Sequence, residues 1–335
     1  MNLPMNNESI VEIRVPTYRR PVMLERALRS LLLQDHIHWR AVVLDDSEGR
    51  EGEEVVKRLH DERVVYQPNS SNLGRVLNIN YAFRKAPFFE DTTYACVLED
   101  DNWYDQRLLS SNVEVLNDAK ARILVRNYRI IDLDEAGIET NTGREPMRDL
   151  YGDVGRRLEL KERIEECFFG FGLGNLSYFW SLKSNLDLSM SGECYDVHVA
   201  ETGRALAQEE DYWYEPEVHS NFTRFVCRMR TDSPAKQNQI TAERLAKLSR
   251  IYFTRKLLRM LRGHTAMNLE GLLAQAIERR KSSDLKERLA ESASLRFLLG
   301  SGGIYEWKQA VKTVALIALY HCQYTLQKKR SKRIC

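Results

Sequence analysis

The first part of the chain alternates strand patterns with helix patterns, and this alternation restricts the fold more than any other feature. In IVEIRVP, Val11, Ile13 and Val15 alternate with polar residues, which is typical of a β-strand that Pro16 then ends. Pro21 opens a segment in which apolar residues recur at the spacing of one helix face. Strands and helices in this order predict an α/β fold with a mostly parallel sheet flanked by helices.

The alternation continues to about residue 130, and two of the predicted strands end in acidic residues. RAVVL stops at Asp45 and Asp46. TYACVL, an apolar run typical of a strand covered on both faces, stops at Glu99, Asp100 and Asp101. In parallel α/β sheets, ligands bind outside the carboxyl ends of the strands. The sequence therefore predicts a ligand site at the edge where these acidic residues lie.

The carboxylates of Glu99, Asp100 and Asp101 repel one another unless a cation lies among them. Carboxylate oxygens are the ligands that Mg²⁺ prefers, and such ions commonly bridge protein carboxylates to substrate phosphates. We therefore expect a site for Mn²⁺ or Mg²⁺ here. The alternative is an acidic loop that caps a helix beginning near Asp105.

Composition narrows the class of protein. The 335 residues are 29% charged and 43% apolar, which is typical of a globular chain with a core. A formal net charge of +2 gives no overall field that would favour nucleic acid as a partner. The six cysteines form no C-x-x-C pair, which favours a reducing compartment over a disulfide framework or a zinc site. Because MNLPMNNES lacks the blocks of a signal peptide, and no apolar run approaches about 20 residues, we expect a cytoplasmic protein.

A change of composition after Ser233 and Pro234 predicts two domains. We place an α/β domain over residues 8–233 and a helical domain over residues 236–330, where apolar residues recur at helical spacing. The basic segment KKRSKR follows an apolar helix pattern near the C-terminus. It is interpreted either as a solvated tail or as a peripheral contact with an anionic membrane or a partner.

Four segments, taken in order, resemble the inverting family 2 glycosyltransferases. They are VPTYRRPVMLERALRSLLLQ, WRAVVLDDSEG, NSSNLGRVLNINYAF and YACVLEDDNWY. The resemblance is good over residues 10–115 and thinner to about residue 232. It implies the nucleotide-diphospho-sugar transferase (GT-A) fold, a nucleotide-diphosphate sugar donor such as a UDP-sugar, and a divalent cation. The acceptor, whether glycan, peptide or small molecule, is not implied.

The resemblance also implies roles for the residues of the donor site. The turn of Pro16, Thr17 and Tyr18 would bring the Tyr18 ring near the nucleotide base. Asp46 would accept a hydrogen bond from a base imide, which favours uracil or thymine because a carboxylate can only accept. Asp45 is expected to have a structural role.

The third and fourth segments supply the remaining donor and metal residues. Asn72, predicted from the residues alone as a helix N-cap, and Gly74 would let the backbone pass close to the nucleotide, and Arg75 would reach a phosphate. Asp101 would bind the metal, Asp100 would lie near the ribose or the sugar, and Glu99 replaces the first Asp of the D-x-D motif.

An inverting transfer needs a base that takes the acceptor's proton, and the family places it in an E-D pair at the start of a helix. In ETGRALAQEEDYWY, which reads as a helix, Asp211 matches that base and Glu210 is the second candidate. The alternative is a solvated helix face. The neighbouring aromatic residues could form a platform for the acceptor: Phe179, Trp180, Tyr212, Trp213 and Tyr214.

Other candidates follow from the same resemblance. Gly174 and Asn175 would lie near the donor sugar. The His that many relatives have after the last core strand is missing from CRMRTDSPAKQ, where Arg230 or Asp232 stands nearby; His219 lies upstream.

The sequence also bears on two rival functions. A nucleotidyltransferase would need a Gly-rich loop after the first strand, and RVPTYRR has no glycine. A non-catalytic protein that binds a sugar nucleotide remains an alternative.

Overall fold

The computed structural model describes residues 9–160, 162–163, 173–184, 186–190, 197–206, 208 and 210–226. The chain divides into two compact units, of which the first comprises residues 1–160 and 173–228. The second comprises residues 161–172 and 229–335, and almost all of it lies outside the described residues. The predicted helical domain and the basic C-terminal segment lie there too, so both stay predictions.

Strands and helices alternate at the start of the first unit, as predicted. The order is β1 Val11–Thr17, α1 Pro21–Leu32, β2 Trp39–Asp45, α2 Glu51–Leu59, β3 Val64–Pro68, α3 Arg75–Ala82 and β4 Tyr94–Val97. After these come β5 Trp103–Tyr104, α4 Leu108–Ala119, β6 Ile123–Arg126, β7 Arg129–Asp134, β8 Glu139–Asn141, α5 Arg148–Tyr151 and β9 Arg156–Leu158. A 3-10 turn Asn175–Ser177, β10 Tyr178–Ser181, α6 Val197–Leu206, β11 Tyr212–Glu215 and β12 Ser220–Val226 follow.

The main sheet has eight strands in the order β3-β2-β1-β4-β10-β6-β11-β9. β3, β2, β1 and β4 are mutually parallel, and β10 is antiparallel to both β4 and β6. β6 therefore runs in the direction of β4, and β11 pairs parallel with β6. A second sheet has the order β5-β12-β7-β8. This arrangement confirms the predicted mostly parallel α/β fold.

The apolar patterns become the core between sheet and helices. Val11, Ile13 and Val15 are fully buried, as are Leu24 and Leu28 of α1. Burying an aliphatic side chain of this size contributes about 1.5–3 kcal/mol. β1 and β2 end together, because Thr17 is paired with Asp45 in the parallel register. The loops that follow the two strands therefore meet at one edge of the sheet.

The polar residues of β1 are buried as well, which the alternating pattern did not predict. Glu12 and Arg14 are fully buried and form an ion pair, with Arg14 Nε 2.6 Å from Glu12 Oε1. The two members of the pair together form hydrogen bonds with the end of α3 and with the segment between α3 and β4. Arg14 donates to the carbonyl oxygens of Ala82 and Arg84, and Glu12 accepts from Phe88 N, Phe89 N and Thr92 Oγ1.

Glu12→Gln should lower the free energy of unfolding by about 3 kcal/mol, because it leaves the buried Arg14 without its charge partner. Urea denaturation of the purified variant would measure the loss. Glu53→Gln is the matched control: its partner Lys57 is largely exposed, and such pairs contribute at most about 1 kcal/mol. Equal losses in the two variants would show that the buried pair has no special role.

Candidate active site

A cavity of about 290 Å³ lies at the carboxyl edge of the parallel strands. Its walls come from the loops after β1, β2 and β4 and from the beginning of α3. The lining residues are Pro16, Thr17, Tyr18, Arg20, Asp46, Asn72, Gly74, Arg75, Asn78, Ile79, Glu99, Asp100 and Asp101. The structure thus brings together the donor and metal residues predicted from the four family-like segments, and their individual roles remain predictions. Gly174 and Asn175 do not line the cavity.

The loop after β1 is fixed to the acidic residues after β4. Thr17 Oγ1 donates to Asp100 Oδ2 at 2.8 Å, and the Tyr18 backbone N–H donates to the same oxygen at 3.3 Å. The Tyr18 side chain stays 42% exposed at the cavity, so its ring is accessible to a ligand.

The two acidic residues after β2 have different partners. Asp45 is buried and accepts hydrogen bonds from Ser47 N, Gly52 N and the Tyr66 hydroxyl, at 2.9–3.0 Å. These contacts fix the start of α2 to the end of β2. Asp45 therefore has the structural role expected of it, and it does not line the cavity.

Asp46 holds the loop before α3 and also lines the cavity. Its Oδ1 accepts from Leu73 N at 2.7 Å and from Asn69 Nδ2 at 2.9 Å, and its Oδ2 accepts from Gly74 N at 2.8 Å. A carboxylate has about four acceptor positions, so one more donor, such as a base imide, can be accommodated.

Asn72 does not cap α3, contrary to the helix N-cap prediction. The residue at the N-cap is Gly74, whose φ of 80° lies in the left-handed region that favours glycine. Asn72 instead donates from Nδ2 to the Asp46 carbonyl oxygen at 3.0 Å. Both residues line the cavity, and the exposed Arg75 begins the helix beside them.

The carboxylates after β4 lie close enough together to raise one another's pKa. Burial and the charge of Asp101 raise the pKa of Asp100 to about 6. Burial, with the charges of Asp101 and Glu201, raises the pKa of Glu99 as well. Both shifts have the direction expected where like charges crowd in a partly desolvated site, so a cation would stabilise the ionised cluster.

Arg20 is a cavity residue that the sequence analysis missed. Its Nη1 lies 2.6 Å from Asp101 Oδ2 and 3.4 Å from Asp100 Oδ1. On another side its guanidinium lies over the Phe225 ring, with 5.4 Å between Cζ and the centroid. No sequence signal pairs residues about 80 positions apart, although the RR dipeptide after β1 places a cation at the correct edge of the sheet.

The carboxylate oxygens of the cavity suit a cation that is bound jointly by the protein and a ligand. Among the residues that the structure describes, no group of three His, Cys, Asp or Glu could hold a metal. Mg²⁺ is commonly bound through only one or two carboxylates together with substrate phosphates. Asp101 lines the cavity with its side chain 16% exposed and fits that arrangement, with Asp100 beside it.

A second group of polar residues adjoins Glu99. Asn175 was predicted near the donor sugar, whereas Arg204 and Glu201 were missed. Asn175 Nδ2 lies 3.5 Å from Glu99 Oε1, and Asn175 Oδ1 accepts from Arg204 Nη1 of α6 at 2.9 Å. Burial is the main cause that raises the pKa of Glu99 and of Tyr128, and the charge of Glu201, half-buried on the same helix, raises both further. α6 thus carries a carboxylate within electrostatic reach of Glu99.

The structure does not bring Asp211 and Glu210 to the cavity. Phe179 of β10 pairs with both Cys96 and Leu124, and Leu124 pairs with Trp213. Asp211 precedes Trp213 by two residues and Glu99 follows Cys96 by three. At about 3.3 Å per residue, the two are therefore separated by roughly 16 Å along the strand direction alone.

Both carboxylates belong to the opposite, amino edge of the sheet, where Glu210 forms an ion pair with Arg122 at the start of β6. The general-base prediction for Asp211 and Glu210 is corrected accordingly. Its cause is the secondary structure: the helix expected over this stretch ends at Leu206, and Tyr212–Glu215 is the strand β11.

The predicted aromatic platform is largely core. Phe179, Trp180, Tyr212 and Tyr214 are each at most 2% exposed, and Trp180 stacks on Phe83 inside the protein. His219 does not line the cavity, and its Nε2 lies 3.3 Å from Glu217 Oε2. Arg230 and Asp232 lie outside the described residues.

Comparison with known proteins identifies relatives of the strand and helix region. The family model described as Glycosyl transferase family 2 matches residues 12–182, just over half of the chain. WcaA of Escherichia coli (strain K12), named as a colanic acid biosynthesis glycosyl transferase, is 29% identical over 106 residues, which are 31% of this chain and 37% of that protein. Protein CgeD of Bacillus subtilis (strain 168) is 29% identical over 134 residues, which are 38% and 32% of the two chains. The chain thus spans about a third of the length of these curated relatives.

Solved structures show a similar fold. The crystal structure of S. aureus TarS 1–349 superposes with a TM-score of 0.53 at 12% identity and covers 93% of this chain and 91% of that chain. TarS 1–349 in complex with UDP-GlcNAc gives 0.53 at 13% identity, covering 93% and 92%. Likeness at this identity concerns the fold. None of the helices in the described part of the chain has the length and apolar character needed to cross a bilayer.

Proposed function

Because the chain belongs to glycosyl transferase family 2, we propose that it transfers a sugar, with inversion, from a UDP-sugar to an acceptor hydroxyl. The observation that carries this proposal is the cavity in which Asp46 lies together with Glu99, Asp100 and Asp101. An acceptor-only group for a base and an acidic cluster for a cation-bound diphosphate are the two recognition elements that such a donor requires.

The cavity residues suggest how the donor is held. Asp46 would accept the imide N–H of uracil, and the exposed Tyr18 ring would contact the base. Arg75, exposed at the first turn of α3, would bind a phosphate, where the helix N-terminus adds favourable N–H dipoles. Asp101, with Asp100 beside it, would hold Mn²⁺ or Mg²⁺, which when bound would stabilise the negative charge that develops on the diphosphate.

The transfer itself needs a proton acceptor, and Glu201 is the carboxylate we assign to it. The acceptor oxygen forms a bond to the anomeric carbon while the bond from that carbon to the diphosphate oxygen breaks and leaves its electron pair on UDP. The hydroxyl proton passes to a carboxylate oxygen of Glu201. Support for this assignment is the position of α6, which Arg204 ties to Asn175 and hence to Glu99.

Donor recognition is tested first by calorimetry. The wild-type protein with Mn²⁺ should bind UDP more tightly than CDP, because cytosine has no N–H at the ring position where uracil does. Asp46→Ala should weaken UDP binding at least about tenfold, the equivalent of losing a buried hydrogen bond to a charged group. Pyrophosphate binding should change much less.

Pyrophosphate binding is the control in this measurement. It is needed because Asp46 also holds the loop before α3, which the substitution could disturb. An equal loss for UDP and pyrophosphate would indicate collapse of that loop and would remove Asp46 from base recognition. Catalysis is tested separately, by release of UDP from a panel of UDP-sugars. Binding of UDP without turnover of any donor, with or without acceptors, would favour a non-catalytic sugar-nucleotide-binding protein.

A further inference from the structure

Arg20 has a fixed backbone and a side chain that is free to change partners. Its carbonyl oxygen accepts from Leu24 N at 2.9 Å in the first turn of α1, which holds the main chain. Its side chain is 44% exposed at the cavity. The guanidinium therefore contacts Asp101, Asp100 and the Phe225 ring without being enclosed by any of them.

The contact with Asp101 involves the group that a cation would need. Arg20 Nη1 lies 2.6 Å from Asp101 Oδ2, which is a short, charge-assisted hydrogen bond. A divalent ion bound to the Asp101 carboxylate would stand within a few ångströms of the guanidinium, and like charges at that distance repel strongly in a partly desolvated site. The cation and Arg20 therefore compete for the negative charge of Asp101.

We propose that Arg20 is a counter-ion that exchanges anions. Without a donor it neutralises Asp100 and Asp101, and when cation and donor bind it moves to the diphosphate, with the Phe225 ring still supporting its face. This inference rests on the proposed function, since it takes the ligand to be a nucleoside diphosphate. Its consequence is coupled binding: the cation binds weakly alone and tightly together with a diphosphate, so the acidic cluster is not filled by free metal.

The test measures Mn²⁺ binding to the full-length protein, by calorimetry or by electron paramagnetic resonance, without any nucleotide. Arg20→Gln should bind Mn²⁺ alone about tenfold more tightly than the wild type, because a competing positive charge is removed. Arg19→Gln is the matched control, since it removes the same charge one residue away, where Arg19 pairs with the exposed Glu48. The control should leave Mn²⁺ affinity unchanged, and so should Arg20→Lys, which keeps the charge.

The second half of the exchange is measured with pyrophosphate at saturating Mn²⁺. Its affinity should fall at least about tenfold in Arg20→Gln, because the charged donor to the diphosphate is lost. Unchanged Mn²⁺ affinity in Arg20→Gln, or an equal gain in Arg19→Gln, would overturn the proposal, and so would undiminished pyrophosphate binding. Failure of the proposed function would look different: pyrophosphate would bind, and UDP would bind no more tightly than pyrophosphate.

Discussion

Asp101→Asn should lower kcat for sugar transfer by about a thousandfold or more while leaving the fold intact. Asp101 is the carboxylate through which the proposed cation would reach the diphosphate, and electrostatic stabilisation of a leaving group by a metal supplies several kcal/mol of the barrier. Stability should hardly change, because the main side-chain partner of Asp101 is the half-exposed Arg20, and such pairs contribute at most about 1 kcal/mol.

The measurement is kcat at saturating donor, together with the denaturation midpoint. Asp105→Asn is the matched control: it is the same substitution four residues later, on a carboxylate that bonds Asn221 outside the cavity. In parallel, EDTA should inactivate the wild type and Mn²⁺ should restore it. Full activity in EDTA, or an Asp101→Asn variant as active as the control, would remove the cation from the proposed mechanism.

The parts of the fold that could be predicted are those in which neighbouring residues determine the structure. The apolar spacing of α1 gives its buried face directly, and its Pro21 marks the first residue correctly. The four family-like segments could be placed at one edge because parallel strands bring their carboxyl ends together, and the cavity contains residues from every one of them. Here the local sequence pattern and the geometry of a parallel sheet predict the same position for the site.

The parts that could not be predicted depend on contacts between distant segments. Arg20 meets Asp101 across 81 positions, and Asn175 meets Glu99 across 76, so no spacing in the sequence indicates either pair. Glu12 and Arg14 are the polar positions in the alternating pattern of β1, and only the segment that packs over them shows why a charged pair is buried there. In each case the partner is set by tertiary packing, which overrides the local pattern.

The general-base prediction was wrong because the secondary structure of one short segment was predicted wrongly. EEDYWY continues a helical stretch, and its acidic pair resembles a family motif, yet Tyr212–Glu215 extends as a strand beside β6. The available signal was the run of three aromatic residues, Tyr212–Tyr214, which favours a strand, whereas the alternating burial of β11 is visible only in the structure. A strand predicted there would have placed Asp211 at its start and hence at the amino edge.

Two substitutions decide between Asp211 and Glu201 as the general base. Glu201→Gln keeps the size of the side chain but cannot accept the acceptor's proton, so kcat should fall by about 10²- to 10⁴-fold, the usual range for general-base assistance. UDP affinity should stay within about twofold, since Glu201 does not line the donor cavity. Asp211→Asn should transfer sugar at nearly the wild-type rate, because its position at the amino edge keeps it away from the donor.

A structural defect in α6 could mimic the loss of a base, so the test needs a variant that restores proton acceptance without restoring shape. Glu201→Asp keeps a carboxylate on a shorter side chain and should recover part of the activity that Glu201→Gln loses, whereas a packing defect would be at least as severe with the shorter residue. Collapse of transfer in Asp211→Asn with an active Glu201→Gln would overturn the assignment, because it would require the amino edge of β11 to reach the acceptor. If Glu201→Gln and Asp211→Asn are both active, the base is another residue. If Glu201→Asp is inactive and also binds UDP more weakly, Glu201 has only a structural role in holding α6.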